Sequence, residues 1–217
     1  MLSKHSCSLI LNRLVPINNL GELTWYGGCH YSRDRDNGLL SIWQKAFADK
    51  VVDTYGVGSG IWVPASTSLK LDQFDADEPE GGWPFREVVG SLMWLANQTR
   101  PDISNAVRAV ARYCHAPKHV HWKAALNIVR YLKSTSHFGI TFQQGSGIDL
   151  EVFADADYAS TATDRRSVSG GIGMCGGAAV SWFSRTQKCV TLSTSEAEYV
   201  ALADSLKKAL FMGHVLY

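Results

Sequence analysis

The chain has 217 residues, 46% of them hydrophobic, with seven Trp, eight Tyr and eight Phe. That is enough apolar bulk for a packed core in one or two domains, and it excludes disorder throughout. The formal charge of +1 hides an uneven distribution, because Arg100 to Lys133 holds seven bases against Asp102 alone while Asp72 to Glu80 holds five acids and no base. The first patch hints at nucleic acid, and the second reads as a solvated linker.

The five cysteines, Cys7, Cys29, Cys114, Cys175 and Cys189, are odd in number, scattered and free of a CxxC pair. Neither a disulfide framework nor a cysteine zinc site is expected, and reduced thiols point to an intracellular protein, cytoplasmic or nuclear, and not a secreted one. No apolar run is long enough to span a bilayer, so no membrane partner is expected. The start, MLSKHSCSLILNRLV, is basic and acid-free, a composition that organelle presequences share but that chance also produces.

In chain order, Leu23–Ser32 and Leu39–Trp43 flank a charged turn ending in Asn37-Gly38, a strong hairpin signal. A short helix is predicted over Gln44–Tyr55, ended by the glycine-rich Gly56–Gly60, and Ile61–Gly82 reads as irregular. Arg86–Asn97 is apolar enough for a buried helix. Thr99-Arg100-Pro101-Asp102 opens the next one with a cap, an early proline and an early acid. In it Ile103, Ala106, Val107, Val110, Ala111 and Cys114 form an amphipathic stripe that Ala116-Pro117 stops. A third helix is predicted from about His119 to Ser134, with Lys123, Asn127 and Arg130 sharing a polar face. From Ile148 the period changes to that of strands at Asp149–Ala154, Val168–Cys175 and Ala178–Ser184, with Gln187–Leu192 prolonging the last beyond a break. Ser193-Thr194-Ser195-Glu196 is a capping-box pattern that opens a helix to about Phe211. The fold class is α+β: a hairpin and a helical segment, then a three-stranded meander carrying one helix.

Two short segments carry chemistry. In FADADYAS, Asp155 stands at the end of an apolar strand, and in STSEAEYVALA, Glu198 stands near a helix start. Hard cations such as Mg²⁺ take carboxylate oxygens, and two-metal nucleases clamp the attacking and leaving oxygens between two ions. The bland alternative is an exposed strand end and a solvated acid near a helix start. Asp157 faces the same side as Asp155 if the strand stays extended. Glu196 is accounted for by capping. CHAPKHVHW gathers Cys114, His115, His119 and His121, but Pro117 breaks the helical spacing a metal site would use, so ordinary helix and loop residues are the reading there.

From Asn19 onward, the blocks NLGELTWYGGC, PFREVVGSLMWLANQTRPDISNAVRAVARY, HWKAALNIVRYLKSTSHFGITF, VFADADYAS, DRRSVSGG and VSWFSRTQKCVTLSTSEAEYVALAD resemble, in order and spacing, the polymerase-to-ribonuclease-H part of a copia-type LTR retrotransposon Pol polyprotein. The resemblance covers nearly the whole chain. It implies a reverse-transcriptase palm tail with a primer-grip-like hairpin in 1–65, an acidic linker in 66–83, a helical thumb or connection in 84–142, and a truncated ribonuclease H-like domain in 148–217. Asp155 and Glu198 would be its catalytic Mg²⁺ ligands. Arg108, Arg112, Lys123, Arg130 and Lys133 would track the phosphates of an RNA–DNA hybrid or DNA duplex, and Trp25 and Tyr26 would belong to the primer grip. Other polyprotein segments are further partners that the resemblance implies. Read without it, the basic residues are a solvated helix surface and the two aromatics a cross-strand packing pair. The family's polymerase aspartate pair and its later nuclease carboxylates are missing from these residues. Two carboxylates are a weak match for two Mg²⁺ ions. The expectation is metal-dependent hydrolysis of the RNA strand as the ancestral reaction, and a chain inactive or nearly so. The other expectations are a non-catalytic nucleic-acid-binding module or a relic without function.

Overall fold

Gly27 and Gly28 have φ of 57° and 75°, the pair of positive values that a two-residue hairpin turn of type I′ requires. The run expected as a single strand from Leu23 to Ser32 therefore folds back on itself, as β1 (Trp25–Tyr26) and β2 (Cys29–Asp34). The computed structural model describes residues 21–66, 71, 72, 74, 77, 78, 81–160 and 164–216. The acid-free start and part of the acidic linker lie outside them. After the charged turn, β3 (Leu39–Trp43) pairs antiparallel with β2, as the Asn-Gly signal predicts.

Helix α1 (Lys45–Tyr55) follows, then α2 (Phe85–Gln98), a 3₁₀ turn (Pro101–Ile103), α3 (Ser104–Ala111) and α4 (His119–Thr135). The apolar stripes pack into one core, with Val51 of α1, Leu92 and Leu95 of α2, Val107 of α3 and Ile128 and Leu132 of α4 all buried. This core crosses the boundary expected between 1–65 and 84–142. Helix α3 ends at Ala111 and not at Ala116-Pro117, because the chain tightens there into turns in which Tyr113 and Cys114 donate to Val110 and Ala111 three residues back. An unforeseen strand, β4 (Gly139–Gln143), then pairs antiparallel with β3 from Leu39↔Gln143 to Trp43↔Gly139 and completes a sheet of order β1-β2-β3-β4.

Buried polar groups hold the helices in place. Arg100 is 2% exposed, forks onto Asp102 at 2.7 Å and donates to the carbonyl and hydroxyl oxygens of Thr135 at 2.9 and 2.7 Å. Tyr131 donates its hydroxyl to Asp102 at 2.8 Å. His121, fully buried, accepts the Lys118 N–H on Nδ1 at 2.8 Å, and its Nε2 stands 2.7 Å from the Leu71 carbonyl. This fixes the Nε2–H tautomer. His121 is thus bound into the start of α4, with Tyr113 stacked on it at 3.7 Å.

The second sheet is the predicted meander, β5 (Leu150–Asp157), β6 (Val168–Cys175) and β7 (Ala178–Thr186), with α5 (Thr194–Leu216) against it. Strand β5 runs three residues past the expected end at Ala154, and α5 runs beyond Phe211. Gln187–Leu192 does not prolong β7. Gln187 turns inward and its side chain donates to Ser169 Oγ and the Ala197 carbonyl at 3.0 and 2.9 Å, so the segment ties the sheet to α5. At the start of α5 the capping pattern is realised: Ser193 Oγ accepts the Glu196 N–H at 3.1 Å, and the Glu196 carboxylate accepts the Leu192 N–H at 2.7 Å. Among the described residues no helix is long and apolar enough to cross a membrane.

Candidate metal and nucleic-acid sites

Directly opposed residues of an antiparallel pair share a face. The register Phe153↔Ile172, Asp155↔Gly170 and Asp157↔Val168 therefore turns both aspartates to one side of the sheet, and Ala154↔Gly171 and Ala156↔Ser169 lie on the other. The second face is the one α5 covers. A Cβ on Gly171 would stand 2.7 Å from Ser205 Oγ of α5 and 2.5 Å from the Phe183 ring, so only glycine admits the helix this closely. Asp155 thus points away from α5.

The face bearing Asp155 and Asp157 looks toward the helical unit. Ser184, paired with Gly170, and Trp182, paired with Ile172, lie on the same side. Trp182 donates its indole N–H to the Ala96 carbonyl at 2.7 Å, and Ser184 donates to Asn105 at 3.2 Å. Arg108 of α3 reaches across, donating to Asn105 Oδ1 and Ser184 Oγ, both at 3.2 Å, and to Thr186 Oγ1 at 3.4 Å. Burial first, and the charge of Arg112 second, push the Arg108 guanidinium below its ordinary range, while Asp157 acts the other way. Between the units remains a cleft of about 310 Å³, lined by Ser104, Asn105, Phe153, Asp155, Asp157 and Trp182 among others.

Glu198 is exposed on the first turns of α5, the helix against the opposite face. The structure therefore brings Asp155 together with Asp157 and leaves Glu198 on the other side of the sheet. Among the described residues no group of three or more His, Cys, Asp or Glu side chains is placed to hold a metal ion. A site for two hard dications needs a cluster of carboxylate oxygens. The residues present do not fit one.

The basic residues divide in the same way. Arg108 is spent on β7. Arg130 donates to the Ser59 carbonyl at 2.8 Å and to Asn127 at 3.3 Å, and Lys133 donates to the Gly58 and Val57 carbonyls at 3.0 and 3.3 Å. Both fasten the loop that follows α1. Arg112 and Lys123 are exposed, with the Arg112 guanidinium 5.9 Å from the Tyr113 ring centre. The five bases do not form one continuous face. Trp25 and Tyr26 are 54% and 68% exposed at the hairpin tip, and Trp25 meets His30 edge-on across the turn. The Arg100–Asp102–Thr135–Tyr131 network had no counterpart in the sequence reading, where Arg100 and Asp102 mark only a helix start.

No family model matches the chain, and no solved structure does. Among curated proteins it is 32% identical over 214 residues, 95% of its length, to the retrovirus-related Pol polyprotein from transposon TNT 1-94 of Nicotiana tabacum. It is 38% identical over 142 residues, 65% of its length, to the retrovirus-related Pol polyprotein from transposon RE2 of Arabidopsis thaliana. A third relative, the secreted RxLR effector protein 161 of Plasmopara viticola, is 36% identical over 129 residues, which are 59% of this chain and 91% of the effector. The chain spans only 16% and 10% of the two Pol polyproteins. With these identities, and with the motif blocks in order along an α+β fold, the chain belongs to the copia-type retrotransposon Pol polyprotein family.

Proposed function

We propose that this chain carries the end of the reverse transcriptase and the first half of the ribonuclease H domain of such a polyprotein, and that its ancestral reaction is Mg²⁺-dependent hydrolysis of RNA in RNA–DNA hybrids. The observation that carries the reading is the placement of Asp155 and Asp157 on one face of the β5–β7 sheet with Glu198 on the helix against the other. Asp155 and Glu198 stand at the family's ligand positions and Asp157 is only a neighbour of the first, a set too sparse and too divided to clamp two metal ions. The 217 residues by themselves do not hydrolyse the hybrid. What they retain is duplex binding through exposed bases, Arg112 and Lys123 first, with Arg108, Arg130 and Lys133 contributing charge while they hold the fold. Trp25 and Tyr26 offer stacking surfaces at the hairpin tip.

The test uses purified chain, a hybrid with a labelled RNA strand, and Mg²⁺ or Mn²⁺, beside Asp155→Asn and Glu198→Gln. Binding without cleavage, weakening steeply with salt, is the expected result. Cleavage abolished by both substitutions would overturn the inactive reading, and absence of salt-dependent binding would overturn the duplex reading. Arg112→Ala and Lys123→Ala are each expected to weaken binding evenly across duplex sequences and to lower the salt slope by about one.

A further inference from the structure

Helix α5 presents an apolar stripe that none of the described residues covers. Tyr199, Leu202, Leu206 and Leu210, spaced i, i+3, i+7 and i+11, are 73%, 55%, 56% and 60% exposed. They lie opposite Ala197, Ala201 and Ser205, which are buried against the second sheet. The helix is also divided in charge. Glu196 and Glu198 stand in its first turns and Lys207, Lys208 and His214 in its second half, while Asp204 between them is held within the chain by Arg185 at 2.7 Å and Lys207 at 3.6 Å. We propose that α5 is a self-association surface, on which a second copy of this chain docks its own α5 antiparallel about a two-fold axis near the middle of the helix.

Charge complementarity selects the occupant and its direction. In the antiparallel arrangement each acidic half lies along the partner's basic half and the helix dipoles oppose. A parallel pair would set acid on acid and base on base. The stripe is self-complementary, as an isologous contact requires, because Leu202 of one copy meets the Leu206 level of the other and the contact closes at two chains. The exposed apolar side chains of two such helices amount to roughly 1,000 Å² removed from water, the lower bound of a specific interface. The open edge of β5 is a poorer joint. Glu151, Asp155 and Asp157 are all exposed along it, and two such edges side by side would oppose rows of like charge.

Sedimentation velocity over a wide concentration range tests the proposal. The chain is expected to pass from monomer to dimer and no further. Leu206→Glu, counted twice across the two-fold axis, should weaken dimerisation at least about a hundredfold, and Lys207→Glu/Lys208→Glu should weaken it while far-UV circular dichroism stays unchanged. Direction is read by oxidative cross-linking mapped by mass spectrometry. Ala203→Cys, near the axis, should link to its own copy, and Ser195→Cys, near the helix start, should not. A chain monomeric throughout, open-ended oligomers indifferent to these substitutions, or equal cross-linking at both positions would overturn the proposal.

Discussion

Replacing Arg100 by Met tests whether the helices are locked by one buried charge. The guanidinium is 2% exposed and its partner Asp102 is 32% exposed. The substitution removes the bidentate bonds to Asp102 and both bonds to Thr135. Breaking a buried pair from one side costs about 3–5 kcal/mol, because the remaining charge is left uncompensated. Asp102 keeps the Tyr131 hydroxyl and some solvent, so the lower end, about 3 kcal/mol, is the figure expected here. In a domain of this size that lowers the Tm by roughly 6–12 °C. Urea unfolding followed by tryptophan fluorescence gives the free energy directly. A double-mutant cycle with Asp102→Asn isolates the pair, and its coupling should exceed about 1 kcal/mol. A loss below about 1 kcal/mol for Arg100→Met, or additive single losses, would show that the fork is an ornament of the packing and not its lock.

Burial holds the His121 imidazole below its ordinary pKa, with the nearby Lys118 adding to the effect and the Leu71 carbonyl and Glu78 opposing it. The unfolded chain therefore takes up a proton first as pH falls through about 6.5, so stability should drop below that pH by at most about 1.4 kcal/mol per unit. Thermal melts from neutral to mildly acidic pH should show the slope, and His121→Gln should flatten it. Trp182→Phe removes the N–H that reaches Ala96 and should cost about 1–2 kcal/mol, with hydrogen exchange rising in β7 and at the C-terminal end of α2 before it rises in the rest of the four-helix core. Gly171→Ala drives a methyl into Phe183 and Ser205. Overpacking of this kind costs about 1–3 kcal/mol, and faster exchange along α5 is the expected signature; unchanged exchange would mean that the helix sits farther from the sheet.

Where local chemistry decided the structure, the sequence could be read. The Asn37-Gly38 turn, the stripes of α2 and α4, the three meander strands and the Ser193–Glu196 cap all rest on residues within a few positions of one another. Partners distant in the chain could not be read that way. Strand β4, GITFQ, does alternate Ile140 and Phe142 with Thr141 and Gln143, but five residues carry little weight locally, and its pairing depends on the edge that β3 offers about a hundred residues earlier. Arg130 and Lys133 look like free cations on a helix face until the loop after α1 folds back and presents its carbonyls. Arg100 reads as a helix-start residue because its acceptor Thr135 is 35 positions away. Alternation along β5 could be foreseen, and with it the shared side of Asp155 and Asp157. Which side α5 would take depended on a glycine floor at Gly171 whose meaning is visible only once the helix lies on it. Local signals could have prevented two lapses: Gly27-Gly28, a glycine pair inside an aromatic run, and the alternation of Ile140 and Phe142 in β4.

The pairing of β3 with β4 also sets the order in which the chain can mature. During synthesis the β2–β3 hairpin emerges with the β3 edge bare and must wait for Gly139–Gln143, a delay of roughly 5–20 seconds at ordinary elongation rates. Throughout that interval it is a template for any other extended segment nearby. Once the strand arrives, the two ends of the first unit are zipped together around the helices between them. A protease that nicks the linker between α1 and α2 would then leave two fragments that stay together as one body.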